Sequence, residues 1–104
     1  MIPLKTVSDL ISKHALLEKE LSSAEIDKNT FAEKSKEYAE LNEIIKIAKF
    51  YISFEKNKKE IQTILEDKNS DADMIKMAET ELADLKIQNE KNEKKLKLFL
   101  LPKD

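Results

Sequence analysis

The sequence predicts an all-α fold: a long antiparallel helical hairpin with a shorter N-terminal helix packed along it, three helices in a coiled-coil-like arrangement. Three observations carry this. Apolar residues recur at alternating spacings of three and four along most of the chain, the period of a helix surface. The 104 residues include no Gly and two Pro, so long stretches pass without a breaker. Each stretch opens on Ser, Thr or Asp, whose side-chain oxygens cap helix starts.

The first predicted helix runs from about Thr6 to Ser22. Thr6-Val-Ser-Asp9 reads as a start signal with Pro3 just outside it. Its stripe is Leu4, Val7, Leu10, Ile11, His14, Leu17 and Leu21. Ser22–Asn29 then breaks the pattern as a polar connection, with Ile26 as its anchor to the core.

The second predicted helix, Thr30–Leu65, organises the rest. It opens with Thr30-Phe-Ala-Glu33, a capping-box pattern. One stripe reads Tyr38, Leu41, Ile45, Ala48, Ile52; the other reads Ile44, Ile47, Tyr51, Phe54, Ile61, Leu65. Two adjoining stripes make a wide apolar face, which suits a helix with two neighbours. At 1.5 Å per residue it would be on the order of 50 Å long.

Asp67–Asp71 is a short polar turn, with Asn69 the candidate for a left-handed backbone in a Gly-free chain. So short a turn implies an antiparallel pair. The third helix starts at Ser70 or Asp71, where Asp71 and Asp73 suit the positive end of the helix dipole. Its stripe is Met74, Ala78, Leu82, Leu85, Asn89, Asn92, Leu96, Phe99, with two Asn in the seam. Glu55–Lys59, Glu90–Lys94 and Glu93–Lys97 are i,i+4 pairs with the acid first. The helix should fail at Pro102. The apolar ending at Leu98–Pro102 reads as a domain boundary within a longer protein.

Composition excludes several function classes. Without Gly there is no phosphate-cradling loop and no nucleophile elbow. Without Cys there is no disulfide, thiolate nucleophile or Cys-based zinc site, which fits a cytoplasmic location. All 19 cationic residues are Lys, as an AT-rich genome favours, which argues against bidentate Arg readout of phosphate or guanine. No apolar run approaches the roughly 20 residues of a membrane span, and the N-terminus is no signal peptide. Charged residues are 38% of the chain at a net charge of −2; this balance, with periodic apolar residues, argues against disorder.

Few side chains invite a chemical role. His14 is the sole His and has no His or Cys partner, so it reads as a packed structural residue. Carboxylate pairs such as Glu37–Glu40 read as solvated helix face. No catalytic, metal or cofactor site is expected. Lys46, Lys49, Lys56, Lys58 and Lys59 make one stretch locally basic, open to RNA backbone contact or to plain solubility. The apolar stripes read as core, with self-association of an incompletely covered helix as the remainder. On these grounds alone a stand-alone helical or coiled-coil structural or adaptor protein, such as a homodimeric coiled coil, stays open.

Three segments carry a resemblance. Phe31-Ala-Glu-Lys-Ser-Lys-Glu-Tyr-Ala-Glu-Leu41, Met74-Ile-Lys-Met-Ala-Glu-Thr-Glu-Leu-Ala-Asp-Leu-Lys86 and Leu98-Phe-Leu-Leu-Pro-Lys-Asp104 stand in this order and spacing. Together they resemble the N-terminal domain of bacterial class-1 peptide chain release factors, over nearly the whole chain. The Leu-Leu-Pro-Lys-Asp ending resembles the branch that reads UAA and UAG. Lys36 stands where the family often has Arg, a departure that keeps the charge. The family's Gly-Gly-Gln and Pro-x-Thr tripeptides are absent, so the resemblance transfers no catalytic residue and implies no enzymatic activity for residues 1–104. It implies an N-terminal ribosome-contacting domain near the large-subunit stalk-base protein and its rRNA. The parent factor would meet the stop codon in mRNA through other domains and be a substrate of a glutamine methyltransferase. The candidate ribosome-facing residues are Lys56, Lys58 and Lys59, on the helix surface adjoining the Asp67–Asp71 turn, the end of the hairpin distal to Pro102.

Overall fold

The computed structural model describes residues 1–102. Among them four helices follow one another: α1 (Leu4–Leu21), α2 (Lys28–Asn42), α3 (Ile45–Glu66) and α4 (Ala72–Leu100). Lys103 and Asp104, which complete the Leu98–Asp104 motif, lie outside the described residues.

The all-α class holds, but the expected second helix is two. The break falls at Glu43–Ile44, where the amides reach back three residues instead of four: Glu43 N–H to Glu40 (3.3 Å) and Ile44 N–H to Leu41 (3.0 Å). Ile44 sits at φ −110°, ψ −10°, and the helix resumes with Ala48 N–H on the Ile44 carbonyl (2.9 Å). No Pro or Gly marks the spot. Tertiary packing makes the bend: Leu41, Ile44 and Ile45 are all buried, and Asn42 turns its side chain to His14.

The start of α2 also differs. Asp27, not Thr30, is the N-cap: Oδ1 accepts the Thr30 amide and Oδ2 the Thr30 hydroxyl, each at 2.9 Å. Thr30 is thus the third residue of the helix and cannot be its cap. α1 begins two residues earlier than expected, at Leu4, with Pro3 in the cap position. α4 is capped by Asp71, whose Oδ1 accepts the Met74 amide at 2.9 Å.

The turn before α4 needs no left-handed residue; none has positive φ among the described residues, Asn69 included. Asp67 Oδ1 accepts the Asn69 amide (2.9 Å), and the Ser70 hydroxyl donates to the Ile64 carbonyl (2.7 Å). Side-chain oxygens close the turn that Gly would otherwise make.

α3 is the central element, packed against α4 along its length and against α1 over its first half. α1 runs antiparallel to α2 and α3: Ile2 donates its N–H to the Tyr51 hydroxyl (3.2 Å), His14 stacks on Tyr38, and Glu20 pairs with Lys34. The core sits where α1, α3 and α4 meet, built from Ile2, Val7, Ile44, Ala48, Tyr51 and Leu96. Beyond it the molecule is two helices thick in both directions: α1 with α2 at one end, α3 with α4 at the other. The extents, 60 × 32 × 19 Å, are those of a rod, and the radius of gyration of 18.6 Å exceeds the ~13 Å of a compact chain this long.

The expected α4 stripe faces inward. Ala78, Leu85, Asn92 and Leu96 are buried, with Leu82, Asn89 and Phe99 half-buried between them; Met74 is exposed at the distal end. Of the seam Asn pair, Asn92 accepts from Gln88 (3.1 Å), whereas the Asn89 Oδ1 is enclosed without a partner. Of the three i,i+4 pairs, Glu93–Lys97 forms at 3.5 Å, while Glu55 pairs with Lys58 at 3.9 Å instead of Lys59.

Two predictions follow from this packing. Leu96→Ala or Leu85→Ala should cost about 2–5 kcal/mol in urea unfolding, as for buried Leu truncations, and exposed Lys94→Ala no more than about 0.5 kcal/mol. Equal effects would show the assigned faces to be wrong. The second concerns acid. The Thr30 backbone N–H, then its hydroxyl, hold the Asp27 carboxyl below its ordinary 3.8. A lowered folded-state value makes this contribution complete above the ordinary value and lost as pH falls through the folded one. The stability difference between the native chain and Asp27→Ala should therefore shrink from about pH 7 to about pH 3; an unchanged difference would mean the charge of the cap is idle.

Candidate interaction surfaces

A helix rod of this kind offers surfaces instead of a cleft. Among the described residues no three His, Cys, Asp or Glu side chains gather as a metal site would require. No helix among them is long and apolar enough to cross a membrane. His14 is 8% exposed, its ring 4.6 Å from that of Tyr38 and inclined by 22°, and Nε2 donates to the Asn42 Oδ1 at 2.9 Å. It fixes the α1–α2 crossing at the bend and faces no open cleft. Glu37, one of the expected solvated carboxylates, pairs with Lys13 across the same two helices.

The basic stretch falls on α3, and the structure divides it. At about 100° per residue, Lys46, Lys49 and Lys56 share an arc of about 80°, with Lys59 about 60° beyond Lys56. All four are exposed. Lys58 points about 160° away from Lys56. Its ammonium lies 5.8 Å from the centre of the Phe54 ring and 3.9 Å from Glu55 Oε2, so its charge is partly answered within the fold. The three candidate lysines are thus near one another in sequence, but only Lys56 and Lys59 present charge together.

Two features escaped sequence reasoning. Ile2 lies outside the recognised stripe yet is buried in the core, drawn there by its bond to Tyr51. The α-ammonium of Met1 lies 2.9 Å from Glu93 Oε1 and holds that carboxyl below the usual range; partial desolvation opposes this, and Lys97 adds to it. The other feature is the distal half of the hairpin, where α3 and α4 pack only on each other. Phe50, Asn57, Ile61, Glu81, Asp84, Leu85 and Gln88 line a hollow of about 410 Å³ there. The signal was present in the sequence: Met77 and Ile64 lie off the main stripes and had no assigned neighbour.

The chain is similar to proteins from three bacteria. The chain is 65% identical over all its 104 residues to a protein named peptide chain release factor 1 from Pelagibacter ubique (strain HTCC1062), covering 29% of that protein. It is 39% identical over 100 residues to the protein of the same name from Agathobacter rectalis, and 37% identical over 100 residues to that from Wolbachia pipientis subsp. Culex pipiens. It covers 94% of this chain and 28% of the relative in both cases, so the chain spans less than a third of the length of these curated relatives. No solved structure matches the chain closely enough to compare. Residues 10–104 match the family model of the PCRF domain, and the chain belongs to that family.

Proposed function

We propose that the chain is the N-terminal arm of a translation termination factor acting at UAA and UAG, and that it holds the factor against the ribosome. The observation that carries this is the match of residues 10–104 to the PCRF domain, together with 65% identity, over all 104 residues of this chain and 29% of the relative, to a protein named peptide chain release factor 1. The rod shape supports a positioning role, since two-helix ends offer surface and no enclosed cleft. The arm itself has neither hydrolytic nor codon-reading chemistry. With no Gly in its 104 residues, it holds no Gly-Gly-Gln. Those parts, and the Gln that a methyltransferase would modify, belong to the remainder of a factor working in the cytoplasm.

Within the arm, the exposed α3 face bearing Lys56 and Lys59 turns toward the stalk base of the large subunit, where rRNA phosphates meet the lysines. Lys58, engaged with Glu55 and Phe54, contributes less. The charges act by neutralising phosphate, a contact that asks only for positive charge and weakens with salt.

Two experiments test this. Purified residues 1–104 should give no stop-dependent peptide release from ribosomes halted at UAA or UAG; measurable release would overturn the division of labour. In the full-length factor, Lys56→Glu with Lys59→Glu should weaken ribosome association several-fold at low salt, with the loss shrinking as salt screens the charges. Lys58→Glu should do less, and the rate of release once bound should change little. Unaltered association at every salt concentration, with helicity intact by circular dichroism, would leave these lysines a role in solubility alone.

A further inference from the structure

The distal hairpin has a second exposed face, opposite in chemistry to the lysines. Asn57 and Glu55 lie about 160° apart on α3 and mark its two sides. On the Glu55 side, Met1 and Leu4 close over Phe54 and Asn89. On the Asn57 side none of the described residues covers the groove. Phe50, Ile61 and Ile64 from α3 and Met74, Met77 and Leu85 from α4 line it, through adjoining hollows of about 410 and 150 Å³. A third, of about 580 Å³, continues over the outer face of α4 past Met77 and Thr80. The three share Glu81. Met77 is 65% exposed and Met74 46%, large apolar side chains with no neighbour to hide them.

The rim is acidic. Asp73, Glu81 and Asp84 border the groove, with Lys76 the one cation among its described lining residues. None of the three carboxylates takes part in an ion pair among the described residues, although Lys–Glu pairs form elsewhere on the rod. The charge of α4 is segregated along its length: Ala72–Leu85 carries four acids and one Lys, Lys86–Leu100 five Lys and two Glu. Unpaired acid around exposed methionine is an incomplete interface on the pattern of an adaptable helix-binding groove.

We propose that this groove takes an amphipathic helix of a partner protein whose apolar stripe is flanked by Lys or Arg. The hairpin already accepts a helix in this manner: α1 lays Val7 against Ala48, Tyr51 and Leu96 over the proximal half. The rim selects the sign. A nucleic-acid backbone would meet three carboxylates, and a second copy docking through this face would set those acids against themselves. The proposal does not rest on the termination reading and stands or falls apart from it.

The test titrates the isotope-labelled chain with a Leu/Lys peptide of about eighteen residues, five helical turns with the leucines on one face. A Leu/Glu peptide with the same leucines and a short RNA duplex are the comparisons. The Leu/Lys peptide should bind and shift the amides of residues 50–64 and 74–88, leaving α2 unmoved. Glu81→Lys with Asp84→Lys should weaken it about ten-fold, and Met77→Asp comparably, while Lys56→Glu with Lys59→Glu should not weaken it. Met77 is mostly exposed, so Met77→Asp keeps the fold and reads the groove even if the double charge reversal does not. Equal binding of the Leu/Glu peptide, shifts confined to other faces, shifts of residues 74–88 by the RNA duplex alone, or a dimer forming through this face in sedimentation would each overturn the proposal.

Discussion

Everything in this rod depends on α3 burying two adjoining stripes against two different partners. Tyr51 and Ile44 share one buried cluster with Ile2, Val7 and Leu96, and Ala48 is small enough for α1 to approach closely. Val7 and Leu96, both fully buried, come from helices that meet only through this junction. A helix with one stripe would have made a plain hairpin. The second stripe recruits α1, and the bend at Glu43–Ile44 lets α2 leave with α1 while α3 stays on α4.

The consequence is a molecule with its core in the middle and thin ends. A two-helix segment cannot hide all of its apolar surface, so polar contacts share the work there. At the proximal end His14, Tyr38 and Asn42 interlock, with Lys13–Glu37 and Glu20–Lys34 tying the same pair of helices. At the distal end no such ties appear among the described residues, and the turn is held by Asp67, Ser70 and Asp71. The chain turns here without a positive φ among the described residues, and carboxylate and hydroxyl oxygens take up the amides and carbonyls left open.

Much of this was legible in the sequence because helical period is a local signal. The stripes on α1, α3 and α4 face inward largely as spacing predicts, and Asp71 caps α4 through the chemistry its residue type implies. The break at Glu43–Ile44 was not legible, since its cause is long-range: the competing demands of α1 and α4, with no Pro or Gly to announce them. The capping box misled for a related reason. Thr30 and Glu33 match the pattern, but Asp27 lies three residues upstream of Thr30 and claims its amide first. At the surface, sequence position grouped Lys56, Lys58 and Lys59, whereas helical rotation and the Phe54 ring separate Lys58 from the others. Met74 belongs to the predicted α4 stripe and Met77 to none, yet both are exposed, because α3 and α4 pack only on each other at that end.

The distribution of charge follows from the same geometry. Lys56 and Lys59 extend from one side of α3, and the acid-rimmed groove opens on another, so one slender arm shows contrasting surfaces within its distal half. Such separation costs little in a rod, because neighbouring faces of a helix differ by a fraction of a turn and no common core forces their chemistry to agree. It also limits cross-talk: reversing the exposed lysines leaves the hydrophobic floor of the groove intact, and changing Met77 leaves the lysine face intact. A rod built this way presents each face with its own charge while the central three-helix junction keeps the faces in fixed relation.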